Sequence, residues 1–292
     1  MHRSKFLILL LIAPMLSNPL SAKDKPKDQD VYTETMTEAM LKRLREREKI
    51  AYKHYETATT KEDIDRIKHD LQLVVDDYEV LISQASDSAD VFLAYGILLH
   101  NIGERKAGYA MFVKADKLDP KRALAKNQLG NYMAEEGNYN EALGFYTLAQ
   151  EIAPKEGLYD YQIANLLQSY RSLLIDDQTF TESELDALMQ KSFYTATQKN
   201  PSILQYRLRY AQSYFYIAQP DWDEALNEWY ELLPMSDIAY DRQLVFLYIA
   251  RCHIEMENLK AARKALKNVN EPKLQEAKEE VMQMMLPPIS EN

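Results

Sequence analysis

The chain has 292 residues, of which 46% are hydrophobic, and its formal net charge is −10. This acidic balance argues against nucleic acid or an anionic membrane surface as the main partner, because phosphate binding needs a basic face. Cys252 is the one cysteine, so an intrachain disulfide is excluded and the apolar core has to supply the stability.

The composition predicts an all-helical chain. Glycine is rare, at 7 residues, and long alternating runs of β-branched residues are absent. Alanine, leucine, glutamate, lysine and glutamine favour helices, and 20 tyrosines supply aromatic side chains for packing.

The segment 1–22 looks like an export signal. Arg3 and Lys5 precede an apolar stretch over 6–16, and Leu20-Ser21-Ala22 is a candidate cleavage site. The apolar stretch is too short to cross a bilayer, which takes about 20 residues. We expect cleavage after Ala22, giving a periplasmic or extracellular protein without an integral membrane span or a lipoprotein cysteine. Cleavage leaves 33 basic against 45 acidic residues, a net charge of about −12; an uncleaved, membrane-tethered form is the alternative.

Residues 23–30 are polar and predict a disordered spacer. The segment 31–86 predicts an N-terminal helical pair, because apolar residues recur every three or four positions along 31–56 and 62–83. This pair is expected to be a degenerate first repeat or cap. Repeats are expected over 87–270. A C-terminal capping helix over 271–286, apolar on one side and charged on the other, is expected to precede a tail at 287–292.

A residue pattern recurs with a period of 34 within the repeat region. Tyr95-Gly96, Gly108, Phe112, Ala115 and Pro120 are matched in order by a second set, one period later: Leu129-Gly130, Ala142, Tyr146, Ala149 and Pro154. A fixed period of this length predicts stacked units that cannot bury their apolar faces alone. Each unit is expected to be a helix, a tight turn and a second helix, with the small residues where two helices cross closely.

These two blocks resemble the tetratricopeptide repeat family, whose pattern asks for Leu-Gly, alanine, an aromatic residue, alanine and proline at these offsets. The match is strongest over 89–154 and weaker over the rest of 62–270. The resemblance implies an all-α, right-handed superhelical solenoid of antiparallel helix pairs. It also implies that the first helix of each unit lines a concave, partner-binding groove.

The third unit is interrupted. One period after Pro154 falls at Leu188, yet the closing proline of the unit is Pro201, so the unit carries an insertion. Thr181-Glu182-Ser183-Glu184 within the insertion is a capping-box sequence that predicts the start of a helix. The insertion at 170–184 is either a lengthened surface loop or a lip over the groove.

In the register that the resemblance implies, one groove position falls in each unit. These positions are Ile97, Asn131, Asn165, Gln212 and Arg251, with Asn127, Gln128, Gln162, Gln168 and Arg209 close by on the same helices. An amide side chain both donates and accepts hydrogen bonds, so a ladder of amides can pair with the backbone of an extended peptide. An ordinary solvent-facing polar stripe is the alternative.

Aromatic residues are densest in the fourth unit. Tyr210 and Tyr214 fall at packing positions and are expected in the core, whereas Phe215 and Tyr216 are better candidates for a groove contact. The first unit has Leu93 and Ile97 where the carboxylate-clamp branch of the family has lysine and asparagine. A carboxylate clamp of that kind is therefore not predicted.

Little in the sequence indicates catalysis, and we predict no catalytic residues, no metal ligands and no cofactor. The histidines lack metal-site spacing, and the Cys252-His253 pair supplies two ligands where zinc takes three or four. Cys252 is therefore expected to be a packed helix cysteine. No glycine-rich phosphate loop is present in the sequence.

The predicted function is a non-catalytic scaffold or adaptor of the bacterial cell envelope that binds an unidentified protein or peptide in the concave groove. The alternative is an accessory protein of polysaccharide export or synthesis, in which the partner belongs to the polysaccharide machinery. An enzyme with an unrecognised site is the weakest alternative.

Overall fold

The structure, a computed structural model, describes residues 35–236 and 238–286. The predicted signal, spacer and tail, and the start of the predicted first helix at 31–34, lie outside the described residues. Within them the chain is an all-α solenoid of helix pairs. Its helices are α1 Met36–Thr57, α2 Lys61–Gln84, α3 Ala89–Asn101, α4 Arg105–Leu118, α5 Ala123–Glu135, α6 Tyr139–Ile152, α7 Gly157–Ser169, α8 Arg171–Asp176, α9 Glu182–Lys199, α10 Leu204–Ser213, α11 Trp222–Leu232, α12 Ala239–Glu255, α13 Leu259–Leu266 and α14 Gln275–Gln283.

The pairs follow one another as units. Unit one is α3 with α4, unit two α5 with α6, unit three α7 with α9, unit four α10 with α11, and unit five α12 with α13. Helices α1 and α2 pair ahead of unit one, and α14 packs against α12. Short 3-10 turns at Leu233–Met235 and Pro272–Leu274 end α11 and introduce α14. Among the described residues no helix is both long and apolar enough to cross a membrane.

Helices α1 and α2 pack through a buried stripe that contains one carboxyl group. Thr35 caps α1 through a capping box with Glu38. Glu48, 8% exposed, accepts a hydrogen bond from the Tyr78 hydroxyl at 2.6 Å. Burial raises the pKa of Glu48 to about 7. The Tyr78 ring also stacks on Tyr95 of unit one at 5.3 Å, so the pair is joined to the repeats through an aromatic contact.

The glycines of the repeating pattern lie where the two helices of a unit cross, as the sequence predicts. A Cβ atom on Gly130 would come within 2.6 Å of the Tyr146 ring, and one on Gly96 within 2.6 Å of the Phe112 ring. Phe112 and Tyr146 are buried. Each aromatic ring therefore takes the space that the missing side chain leaves, and the pattern pairs a glycine with a ring inside both well-matched units.

The turn of each of these units stops the first helix at a glycine with a left-handed backbone. Gly103 has a φ of 94° and Gly137 a φ of 81°. In unit two the Asn138 N–H donates to the Met133 carbonyl at 2.8 Å and the Gly137 N–H donates to the Ala134 carbonyl at 3.0 Å. These bonds satisfy carbonyls at the helix end, and a residue with a side chain resists the φ that they require.

The insertion packs against the preceding unit rather than across the first helices. Leu174 of α8 is fully buried, and the Tyr170 hydroxyl donates to the Ala134 carbonyl. Asp177 accepts hydrogen bonds from the Tyr139 hydroxyl at 3.0 Å and the Asn140 amide at 3.4 Å. These partners lie at and beside the α5–α6 turn, which favours a surface extension over a lip across the groove. The predicted capping box at Thr181 and Glu184 is present at the start of α9.

The C-terminal units share one large core. Trp229 of α11 is fully buried and stacks on Tyr248 of α12, with ring centroids 4.2 Å apart and planes 3° apart. Cys252 is also fully buried, and burial raises the pKa of its thiol to about 12. It is a packed helix cysteine, as predicted. Within 35–236 and 238–286, no three histidine, cysteine or acidic side chains come together as metal ligands.

Candidate functional site

The predicted groove residues lie on the first helices of units two to five. Asn127 and Asn131 are on α5, Gln162 and Asn165 on α7, Arg209 and Gln212 on α10, Phe215 just beyond α10, and Arg251 on α12. Side-chain contacts join α5 to α7, α7 to α10 and α10 to α12. We call the surface formed by Asn131, Gln162, Asn165, Arg209, Gln212, Phe215, Tyr248 and Arg251 the inner face.

An amide pair joins α5 to α7. The Asn131 Oδ1 atom accepts hydrogen bonds from the Gln162 amide at 3.0 Å and from the Tyr146 hydroxyl at 2.8 Å. The Asn131 amide donates in turn to Gln128 at 3.2 Å. Asn131 is half-buried and Gln162 is buried. These two amides are therefore held in fixed orientations by neighbouring side chains.

An arginine joins α10 to α7. Arg209 donates to the Asn165 Oδ1 atom through Nε at 3.0 Å and through Nη2 at 2.8 Å, while the Asn165 amide donates to the Tyr161 carbonyl at 2.8 Å. Both side chains are half-buried. In the described part of the chain, Arg209 forms no ion pair. Its guanidinium is thus held by a neutral amide rather than by a carboxylate.

An aromatic group with a second arginine joins α10 to α12. The Gln212 amide donates to the Tyr248 hydroxyl at 3.2 Å. The Arg251 guanidinium lies over the Phe215 ring at 4.2 Å and over the Tyr248 ring at 5.7 Å. A cation over an aromatic face is attracted by the ring's negative centre. Phe215 also packs on Trp222, at 5.1 Å between centroids.

The electrostatics of this region are positive although the chain is acidic. Burial raises the pKa of Tyr161 and Tyr248. The positive charge of Arg209 lowers the pKa of both phenols, and the charge of Arg251 lowers that of Tyr248, so both oppose the effect of burial. The half of the inner face formed by units three to five therefore favours a negatively charged or hydrogen-bonding ligand.

Some predicted positions are placed differently from the rest. Asn127 is 3% exposed, and its Oδ1 atom is buried without a hydrogen-bond partner among the described residues. Ile97 packs in the core of units one and two beside Leu93, which is 1% exposed. Unit one therefore continues this row of first helices with apolar side chains, whereas units two to five supply polar and aromatic ones.

Tyr248 and Tyr161 are not among the predicted groove residues. Tyr248 lies three positions before Arg251 and Tyr161 four positions before Asn165, which places each on the same side of its helix as a predicted residue. That spacing is the signal by which they could have been found. Tyr210 and Tyr214 are buried, as predicted, and lie on another side of α10 from Arg209 and Gln212.

Comparison with known proteins finds similarity in three-dimensional structure and none in sequence families. No family model matches the sequence, and no curated protein matches it. The tetratricopeptide repeat protein YrrB, described as having an unusual peptide-binding site, superposes with a TM-score of 0.54 at 18% identity, covering 70% of this chain and 96% of YrrB. PilF of Pseudomonas aeruginosa superposes at 0.53 and 13% identity, covering 83% of this chain and 99% of PilF.

A third solved structure is the C-terminal part of a tetratricopeptide repeat protein from Cytophaga hutchinsonii. Its TM-score is 0.56 at 16% identity, with 86% of this chain and 98% of that chain covered. Identities this low establish a shared fold and leave ligands and partners open. The chain therefore has the fold of tetratricopeptide repeat proteins.

Proposed function

We propose that this protein is a non-catalytic scaffold or adaptor that holds an extended segment of a partner protein along the inner face. The observation that carries the proposal is a row of polar and aromatic side chains from Asn131 to Arg251, in which a side-chain contact links each first helix to the next. It runs across four consecutive first helices, the direction in which an extended chain would cross them.

The chemistry of the inner face suits a peptide. A peptide backbone presents alternating N–H and C=O groups, and amide side chains can pair with both. The hydrogen bonds between Asn131, Gln162, Asn165 and Arg209 hold those side chains in place, so little side-chain entropy is lost when a ligand binds. YrrB, which shares the fold, is described as having a peptide-binding site, in keeping with the proposal.

The positive charge of the inner face narrows the chemical class of ligand that it would bind. Arg209 and Arg251 lie on different helices, α10 and α12, but both act on the Tyr248 phenol. Two cations beside half-buried aromatic rings favour a segment that carries a carboxylate, because a charge-assisted hydrogen bond is about twice as strong as a neutral one. The envelope setting is part of the proposal and rests on the export-like sequence of residues 1–22.

The alternative role in polysaccharide export or synthesis rests on Phe215 and Tyr216 as a platform for sugar rings. Phe215 is instead engaged by Trp222, Tyr248 and the Arg251 guanidinium. One face of the ring is thus covered by a cation, so we rank the peptide ligand above the glycan.

Site-specific photocrosslinking tests the proposal. A benzophenone amino acid replaces Tyr216, at the edge of the inner face, and in a second variant Tyr230, which is 46% exposed on α11. Both substitutions exchange one aromatic side chain for another. Cells that make each variant are irradiated, and the crosslinked segment is identified by mass spectrometry.

We expect a defined peptide segment to crosslink at position 216 and not at 230. A synthetic copy should then bind the purified chain, and Arg209→Gln or Arg251→Gln should weaken binding about fivefold to tenfold. Arg263→Gln, an exposed charge on α13, is the matched control and should leave binding unchanged. A segment that crosslinks only at 230, or a glycan bound without any peptide, would refute the assignment.

A further inference from the structure

A cleft lies over a different side of α10 from the one that carries Arg209 and Gln212. Its volume is about 430 Å³, and it lies between α9 and α11, with α10 as its floor. Its walls are Tyr194 and Gln190 on α9 and Glu224 on α11, and its floor is formed by Tyr210 and Tyr214. We call it the tyrosine cleft.

The pair of tyrosines on the floor of this cleft is specific to unit four, although unit one also has a tyrosine, Tyr95, at the position of Tyr210 and Leu99 at the position of Tyr214. In the register of the repeats, the positions of Tyr210 and Tyr214 hold Leu129 and Met133 in unit two, and Ile163 and Leu167 in unit three. The two phenols are not needed to fill a standard core position. They add hydroxyl groups that reach beyond the volume an aliphatic side chain would occupy.

Those hydroxyl groups form a polar end to an otherwise apolar cleft. The Tyr210 and Tyr214 hydroxyls lie 2.8 Å apart, and the Tyr210 hydroxyl donates to the Glu224 carboxylate at 3.3 Å. The Tyr194 ring, 47% exposed, leans over Tyr210 with centroids 5.6 Å apart. An apolar, ring-lined space that ends at a carboxylate has the form of a receptor for a cation on an aliphatic stem.

The charges around the cleft are mainly negative. Asp221 and Glu224 line it, and Glu228 lies one turn further along α11, whereas Lys191 at the rim is the one cation that the described residues contribute to the lining. Burial raises the pKa of Tyr210 to about 12, and both Glu224 and Glu228 add to that rise. Burial also raises the pKa of Glu228; the Arg207 guanidinium acts to lower it, and Glu224 and Glu231 act to raise it further. The phenols therefore lie in a negative field, opposite in sign to the inner face.

One polar group in the cleft is unsatisfied. The Gln190 Nε2 atom is buried and has no hydrogen-bond partner within the described residues. A buried donor left unpaired is unfavourable, and an acceptor on a ligand would satisfy it. A carbonyl group of a bound peptide is such an acceptor.

We propose that the tyrosine cleft binds the side chain of a lysine or arginine in a basic peptide segment, independently of the inner face. The aliphatic stem packs on Tyr194 and Tyr214. The cationic head reaches Glu224 and the paired hydroxyls, and the backbone carbonyl of the ligand accepts from Gln190.

The test uses the full chain labelled with ¹³C in its tyrosine rings. The probe is the peptide acetyl-Gly-Gly-Lys-Gly-Gly-amide. The same peptide with an Nε-acetylated lysine keeps the stem and lacks the charge. We expect the lysine peptide to shift the ring signals of Tyr194, Tyr210 and Tyr214 in a saturable way, more weakly at high salt, and the acetylated peptide to leave them unchanged.

The variants are matched by register. Glu224→Gln should weaken binding about two- to fivefold, the range of an exposed ion pair. Glu141→Gln removes the exposed carboxylate at the same position of unit two, where the floor is Leu129 and Met133, and should change nothing. Tyr194→Leu should weaken binding while leaving the melting temperature within a few degrees, since the ring is half exposed.

Equal shifts from the charged and the acetylated peptides would overturn the proposal, as would equal loss in Glu224→Gln and Glu141→Gln. Shifts produced by maltose with none from the lysine peptide would reassign the cleft to a sugar. Arg251→Gln should leave the tyrosine shifts intact, which separates this site from the inner face.

Discussion

Replacing Gly130 with leucine tests the packing rule on which the repeat assignment rests. A Cβ atom at this position would lie 2.6 and 2.7 Å from two carbons of the Tyr146 ring and 3.3 Å from the Ala142 carbonyl oxygen. Ordinary carbon–carbon contacts are about 3.5–4.0 Å, so the overlap is about 1 Å. The ring is 3% exposed and its hydroxyl is bonded to Asn131 at 2.8 Å, so it can move aside only by breaking that bond.

The expected loss follows from two opposing terms. Overpacking a core costs about 1–3 kcal/mol or more. Removing glycine from a helix interior returns about 0.8–1 kcal/mol. The difference is a net loss of about 0–2 kcal/mol for Gly130→Leu, and the three further carbons of leucine push it to the upper end, about 2 kcal/mol. At about 2–4 °C per kcal/mol, the melting temperature should fall by several degrees.

Thermal melting followed by far-ultraviolet circular dichroism measures the effect, and unit two supplies the control. Gly144 is an exposed helical glycine on α6, and a Cβ there would meet nothing within 4 Å. Gly144→Ala should therefore raise the melting temperature slightly, by the helix-propensity gain alone. Equal melting of Gly130→Leu and the unmodified chain, or equal losses at Gly130 and Gly144, would contradict the packing argument.

Three further experiments test the effect of burial on Glu48, Cys252 and the Lys199–Asp160 ion pair. The Glu48 pKa of about 7 lies above its ordinary 4.5, so burial favours the protonated carboxyl; this stabilisation is complete below about pH 4.5 and is lost as the pH rises through 7. Glu48→Gln should therefore melt like the unmodified chain at pH 5 and be about 1–3 kcal/mol more stable at pH 8, and a constant difference across pH would contradict this. Cys252, with a pKa raised to about 12 by burial, should react with a chromogenic disulfide reagent at pH 8 only after guanidinium unfolding, and rapid reaction of the folded chain would show that the site opens. Lys199→Met leaves the Asp160 carboxylate, 2% exposed, without its ion-pair partner and should cost about 3 kcal/mol in urea unfolding, whereas Lys155→Met at an exposed site should cost nothing measurable. Restored stability in Lys199→Met/Asp160→Asn would assign the loss to the unpaired charge.

The solenoid was predictable from the sequence because its determinants are local and repeated. Gly130 and Tyr146 belong to the same unit, and Gly96 and Phe112 form the same pair in unit one. In each unit, the glycine and the aromatic ring meet where the two helices of that unit cross. Gly137 stops a helix through its own backbone conformation, and the Thr181–Glu184 capping box starts one through bonds between near neighbours in the chain. Such features depend only on short stretches of chain, so they can be recognised even in units where the repeat pattern is weak.

Contacts between units decided which side-chain atoms each surface offers to a ligand. The register predicts that Asn131 and Asn165 form part of an amide ladder that pairs with a ligand. In the structure each already accepts a hydrogen bond from the next unit, Asn131 from Gln162 and Asn165 from Arg209. Tyr210 and Tyr214 were predictable as core residues, but the cleft above them exists only because α9 and α11 leave a gap over α10. Periodicity determined which residues share a helix face, because a helix has a fixed pitch. Only the stacking of one unit on the next decided which of their polar atoms are bonded to neighbours and which remain for a ligand.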